Sequence, residues 1–151
     1  MDALLATPHV LVVDESPRVR LRAVAALAGP FEVEPLPTGE DALRVARARR
    51  PELVLFAIHH ANADDVLRMC RTLRTDVRPI ERVGVYAAGR PPRPADVVME
   101  AWRADGYLAG EWDGAALRAF VEAVLRGERP VRLPPAEDGV LGRLVGRLRG
   151  R

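Results

Sequence analysis

ELVLFAI, residues 52–58, decides the fold. After Glu52 the run holds no polar residue, so it lacks the alternation of a strand with one wet face, and it is too short for a buried helix. An apolar stretch of this length reads as a strand covered on both sides, as in a parallel sheet sandwiched between helices. It ends at Ala57, where α/β proteins place their chemistry, and an alanine can do none.

Outward from this strand the chain alternates. HVLVV (9–13) is a short β-branched run, after which Ser16 can cap a helix with Pro17 at its first position, running to Ala28 and closed by Gly29-Pro30. FEVEPL (31–36) alternates apolar and acidic residues and contains Pro35, the mark of an edge strand. Thr38, with Asp41 three residues on, starts a helix over 39–49. In residues 63–75, Val66, Leu67, Cys70 and Leu73 share one face, with Arg68, Arg71 and Arg74 elsewhere. RVGVYAA (82–88) is a fourth strand, followed by GRPPRP and a short helix from about Ala95 to Arg103. DGYLAG (105–110) is a fifth strand, and Asp113 caps a last helix ended by Gly127.

Five βα units with short connections predict a flavodoxin-like (βα)5 three-layer sandwich with parallel strand order 2-1-3-4-5. The two weakest strands, 31–36 and 105–110, are expected at the sheet edges. The ligand crevice then lies beyond strands 1 and 3, at Asp14, Glu15 and Ala57. Residues 1–129 form this domain, and residues 130–151 a Pro-rich linker with a tail.

The 151 residues suit one domain, with 48% hydrophobic and 29% charged residues. No apolar run reaches a membrane span, and MDALLATPHV lacks the basic start and apolar length of a secretory signal, so a cytoplasmic protein is expected. Cys70 is the single cysteine and, among Leu67, Met69 and Leu73, reads as a packed core thiol. All 23 basic side chains are Arg. Residues 1–125 hold 16 Arg against 18 acids, and residues 126–151 hold 7 Arg against 3. The basicity sits in the tail, which argues against a nucleic-acid-binding body.

VLVVDES, RPELVLFAI and RADGYLAG, together with the five βα units, resemble the response-regulator receiver domain of two-component signalling over roughly residues 8–128. The resemblance implies a cleft where paired acids and an aspartate ending strand 3 hold Mg²⁺ and accept a phosphoryl group. A hydroxyl ending strand 4 and a lysine ending strand 5 assist. Matched position by position, the acidic pair is Asp14 and Glu15, the acceptor position is Ala57, the hydroxyl position Ala87 and the lysine position Gly110. The proline that usually follows the lysine is replaced by Glu111, and the switch-sensing aromatic of strand 5 is kept as Tyr107. The implied protein is a degenerate pseudo-receiver without nucleophile, catalytic role, metal or cofactor.

Asp14 and Glu15 are expected to serve the following helix as capping acids, with weak cation binding as the lesser alternative. An arginine, Arg18 or Arg90 being nearest in sequence, is expected to neutralise Asp14. His59 and His60 face the acidic pair, but adjacent histidines point apart, which weighs against a zinc site. PPRP (91–94) reads as a stiff loop.

In the tail, Val140, Leu141, Leu144, Val145 and Leu148 share one helical face, with Arg143, Arg147 and Arg151 on another. Gly142, Gly146 and Gly150 weaken the helix, so it needs a surface to fold against. That surface is expected to be protein, either this domain, a second copy in a homodimer or a signalling partner. A membrane surface is the less ordinary choice. The leading expectation is an interaction module, with partner contacts at Val98, Trp102, Tyr107, Leu141, Leu144, Val145 and Leu148. The alternative is an effector that binds an anionic nucleotide, such as a cyclic dinucleotide, through Arg90, Arg93, Arg143 and Arg147.

Overall fold

In a computed structural model of the chain, residues 7–76 and 79–134 are described. The elements run β1 (His9–Val13), α1 (Pro17–Leu27), β2 (Glu32–Leu36), α2 (Gly39–Arg49), β3 (Leu53–Ala57), α3 (Ala63–Thr75) and β4 (Val83–Tyr86). A single π-helical turn, α4 (Val97–Ala101), precedes β5 (Gly106–Leu108), α5 (Gly114–Leu125) and a short β6 (Val131–Arg132). All strands are parallel, in the order β2-β1-β3-β4-β5-β6.

The apolar run of β3 has a simple cause. Leu53 to Phe56 are fully buried, and successive side chains enter opposite cores. Val54 and Phe56 join Leu11, Val85, Leu67, Cys70 and Val98 in the layer under α2, α3 and α4. Leu53 and Leu55 join Val10, Val12, Tyr86, Leu117 and Phe120 in the layer under α1 and α5. The second layer needs room, and two glycines paired across β4 and β5, Gly84 and Gly106, provide it. A Cβ on Gly106 would stand 2.7 Å from Val124 Cγ2 and 3.0 Å from the Phe120 ring.

Local signals set the helix starts as expected. Ser16 Oγ accepts from Val19 N–H at 3.3 Å with Pro17 behind it, Thr38 Oγ1 accepts from Asp41 N–H at 3.2 Å, and Asp113 Oδ1 accepts from Ala116 N–H at 2.8 Å. Asn62 instead turns back, its Oδ1 accepting from His59 N–H at 2.8 Å. Cys70 is buried, and desolvation pushes its thiol well above the usual range, in keeping with a core residue.

Two expectations need correction. Strand β5 is not an edge, because residues 131–132, read as part of an extended linker, pair with Tyr107 and Leu108 as a sixth strand. A two-residue strand bracketed by Pro130 and Pro134 carries no periodicity, so only its pairing reveals it. The fourth helix is also shorter than residues 95–103 and wound more widely, with Trp102 N–H donating to Val97 O. The amphipathic tail, residues 139–151, lies outside the described residues. Among those described, no helix is long and apolar enough to cross a membrane.

A largely buried ion pair ties α3 to the β4 and β5 starts. Arg74 Nη1 donates to Asp105 Oδ2 at 2.6 Å and to Glu81 O at 2.8 Å, and Val83 N–H donates to the same carboxylate at 2.8 Å. Asp105→Ala strands a guanidinium and a backbone donor, and is expected to lower urea-measured stability by about 2–3 kcal/mol.

Candidate functional site

The sheet register carries five sequence-flagged residues to one rim. Val13 pairs with Phe56, Ala57 with Tyr86, and Tyr86 with Leu108, so Asp14, Glu15, Ala57, Ala87 and Gly110 all emerge at the C-terminal ends of neighbouring strands. Asp14 and Ala87 are buried, Ala57 is half-buried and Glu15 is exposed.

Asp14 is one of two buried polar residues among those described, and a buried carboxylate must be hydrogen-bonded. Its Oδ1 accepts from Ser16 N–H at 2.9 Å. Its Oδ2 accepts from the Tyr86 hydroxyl at 2.5 Å. Burial pushes the Tyr86 hydroxyl well above the usual phenol range, and the Asp14 charge and hydrogen bond push it further. The expected arginine is neither Arg18 nor Arg90. Arg20 is the one that arrives, and its Nη1 donates at 2.7 Å to the main-chain oxygen of Asp14 rather than to the carboxylate. The neutral phenol does the work assigned to a cation, because one turn of α1 carries Arg20 past the carboxylate to the carbonyl.

Tyr86 is itself held. Its ring meets Trp112 edge-on, with centroids 5.5 Å apart and planes at 89°. The indole Nε1 donates at 3.3 Å to the main-chain oxygen of Ala87, the residue matched above to the receiver hydroxyl position. Arg22 stacks over the indole with its guanidinium carbon 5.0 Å from the centroid, and donates to Trp112 O at 3.2 Å. Arg22, Ala88, Gly89, Gly110, Glu111 and Trp112 line an open cavity of about 490 Å³ beside this stack.

The position of the missing lysine has a different use. Gly110 and Gly89 exchange two backbone hydrogen bonds, at 2.6 and 3.0 Å, with φ of +98° and +109°. The left-handed backbone at Gly110 disfavours any side chain, and the Pro134 ring stands 3.3 Å from where its Cβ would be. The loops after β4 and β5 are thereby stapled together.

The residues present do not fit a Mg²⁺ ion. Such an ion needs converging hard oxygens, whereas the Ala57 side chain offers none and both Asp14 carboxylate oxygens accept internal hydrogen bonds. Glu15 is more than half exposed and has His59 Nε2 3.4 Å from its Oε2. His60 does not join them. Among the described residues no group of three or more His, Cys, Asp or Glu converges.

Of the expected partner contacts, Val98 and Tyr107 have no solvent exposure and belong to the core, whereas Trp102 is half-buried against it. The Tyr107 hydroxyl donates to Arg93 O at 2.8 Å, and burial raises its pKa. Arg93 pairs with Asp64 at 3.0 Å, which fixes the PPRP loop on α3 and takes up one of the two loop arginines assigned to an anion. Leu141, Leu144, Val145, Leu148, Arg143 and Arg147 lie outside the described residues. Tyr86, Trp112 and Arg22 were missed from the sequence. The available signal was Tyr86 itself, a phenol ending a buried strand that needs a polar partner.

Among proteins of known role, the chain is 32% identical over 142 residues to the transcriptional regulatory protein CseB of Streptomyces avermitilis. It is 34% identical over 141 residues to CseB of Streptomyces coelicolor. Each match covers 87% of this chain and 58% of the relative, so the chain spans little more than half the length of the curated relatives it matches. No family model matches. Among solved structures, a response regulator from Thermotoga maritima superposes with a TM-score of 0.67 at 22% identity, over 80% of this chain and 99% of that one. A LuxR family DNA-binding response regulator from Silicibacter pomeroyi gives 0.60 at 25% identity, over 84% and 96%. The chain has the fold of response-regulator receiver domains. The named roles of these relatives in transcription and DNA binding give no support to the expectation that nucleic acid is not a partner.

Removing one hydroxyl tests the Asp14 arrangement. Tyr86→Phe leaves a buried carboxylate oxygen unpaired and is expected to cost about 1–3 kcal/mol in chemical denaturation. In the wild type the folded phenol holds its proton more tightly than the unfolded one, whose pKa is about 10. The stabilisation is therefore complete below that pH and falls as pH rises above it. Thermal midpoints from pH 8 to 11 should fall more steeply for the wild type than for Tyr86→Phe.

Proposed function

We propose that this receiver-fold chain is a pseudo-receiver, a protein-interaction module of a two-component or related regulatory system that works without phosphorylation and without catalysis. The observation that carries the reading is the state of the cleft. The acceptor position is Ala57, and both oxygens of the neighbouring Asp14 are taken by Ser16 N–H and the Tyr86 hydroxyl. An acyl phosphate needs a carboxylate nucleophile and a metal to neutralise the incoming charge. Ala57 lacks the first, and the internal hydrogen bonds of Asp14 compete with the second.

Further support comes from the loops. In a switching receiver the strand-5 aromatic responds to a change at the strand-4 hydroxyl. Here Ala87 has no hydroxyl, its carbonyl is held by Trp112, and Tyr107 is tied to Arg93 O. The Gly89–Gly110 pair binds the same loops from the other side. A module held this way presents one surface, and its regulation comes from the supply or availability of partners. The names of the CseB relatives, transcriptional regulatory proteins, support gene control as the process it serves.

Intact-mass measurement after incubation with acetyl phosphate and Mg²⁺ tests the reading. The expected spectrum shows the unmodified chain, and backbone amide NMR shifts at the rim are expected to be unchanged by Mg²⁺. A gain of one phosphoryl group on an acidic side chain of the cleft overturns it.

A further inference from the structure

The added strand β6 changes which edge of the sheet faces outward, and its chemistry is specific. Tyr107 N–H donates to Pro130 O and Ala109 N–H donates to Arg132 O, both at 2.9 Å. Residues 130 and 132 thus turn their backbone oxygens toward β5. By the two-residue period of a strand, Val131 and Leu133 turn their N–H and C=O groups away from it. Among the described residues no strand lies beyond β6. The same two residues also account for two of the three exposed large hydrophobics among the described residues, at 45% and 38% exposure.

An open sheet edge carries unpaired N–H and C=O groups that another strand can meet, and a charge on that edge restricts pairing to a strand of complementary charge. Pro130 and Pro134 limit the pairing segment to residues 131–133, since proline contributes no N–H. Between the two apolar residues stands Arg132, exposed and without an ion pair among the described residues. Arg129, three residues before it in sequence, donates to Met99 O. Glu128, four residues before Arg132 in sequence, is paired with Arg126, and Glu111 lines the same open cavity as Arg132.

We propose that the outer edge of β6 is a docking edge for an extended, acidic segment of a partner protein, which adds a strand with the side-chain order apolar–acid–apolar. In antiparallel pairing, the partner residues opposite Val131 and Leu133 exchange backbone hydrogen bonds with them and pack on their exposed side chains. The residue opposite Arg132 stands in the closer, non-hydrogen-bonded pair, on the guanidinium's own face, where a carboxylate is favoured.

Charge selects this occupant over two others. A second copy paired about a two-fold through Arg132 would set two guanidiniums directly opposite each other, which destabilises a ladder. The segment beyond Pro134 carries Arg143, Arg147, Arg149 and Arg151 against Glu137 and Asp138, the same sign as the edge. The proposal rests on the reading of the chain as an interaction module, and it supplies the surface and the partner chemistry which that reading leaves open.

The test uses the full chain, ¹⁵N-labelled, titrated with the peptide acetyl-Thr-Val-Glu-Val-Thr-amide and with its Lys-for-Glu counterpart. A segment this short binds at about 1 mM or weaker, within reach of amide shift mapping. The expected result is shift changes centred on Val131 and Leu133, with the Lys peptide binding about threefold or more weakly. Arg132→Glu, which leaves the backbone unchanged, should reverse that preference. Val131→Pro removes an outward N–H and no bond to β5, and should abolish binding while the spectrum elsewhere stays that of the folded protein.

The proposal is overturned if neither peptide shifts these amides, if both bind equally, or if Arg132→Glu leaves the preference as it was. It is equally overturned if the edge responds only to protein concentration, as in self-association, or only to a duplex DNA probe. Phosphorylation of the cleft together with peptide binding at β6 would sink the earlier reading and leave this one standing.

Discussion

The hydrogen bond from the Tyr86 hydroxyl to the Asp14 carboxylate is the constraint around which the upper end of the molecule is built. Asp14 follows β1 at the rim of the sheet, with only 5% of its surface exposed, and a carboxylate in that position is costly unless its oxygens are occupied. An external ion would do this in an open cleft. Here two groups of the chain itself do it, one from the first turn of α1 and one from the end of β4. The carboxylate serves the fold. It ties the end of β4, two strands away, to the start of α1, and it gives a buried phenol its partner.

That bond sets the positions of its neighbours. The Tyr86 ring supports Trp112, the Trp112 indole holds the Ala87 carbonyl, and Arg22 on α1 closes over the indole. The chain of contacts runs from helix to strand to loop and back to the same helix. On the other side of the loops, two glycines with left-handed backbone complete the fixation, and the Pro134 ring covers the second of them. Rigidity at this end and an added strand at the edge belong together, because the segment that leads into Pro134 is the one that extends the sheet.

Much of the site was legible in residues 9–15 and 52–58. The acidic pair, the alanine at the acceptor position and the glycine at the lysine position all lie where the alternation of strands and helices puts them, at the C-terminal rim. The partner of Asp14 was not legible in the same way. Arg18 and Arg90 were expected from sequence proximity, but a helix turn displaces Arg20 onto the carbonyl, and a strand 72 residues away delivers the phenol. Val98 and Tyr107 were expected at a surface that receivers use for contacts, and they are core residues, both fully buried in the layer under α2, α3 and α4.

By itself the sequence determined the class of fold, the order of the first five strands, the helix caps at Ser16, Thr38 and Asp113, and the absence of a nucleophile at residue 57. These depend on neighbours within a few positions, through capping hydrogen bonds, the periodicity of apolar side chains and the identity of one residue. Only the tertiary structure decided that Tyr86 completes Asp14, that Gly84 and Gly106 pair to make room for Phe120, and that residues 131–132 join the sheet. Each of these is a contact between segments far apart in the chain. Which hydroxyl fills a buried acceptor, or which short extended stretch takes an open edge, depends on where the backbone carries them, and no local pattern encodes that.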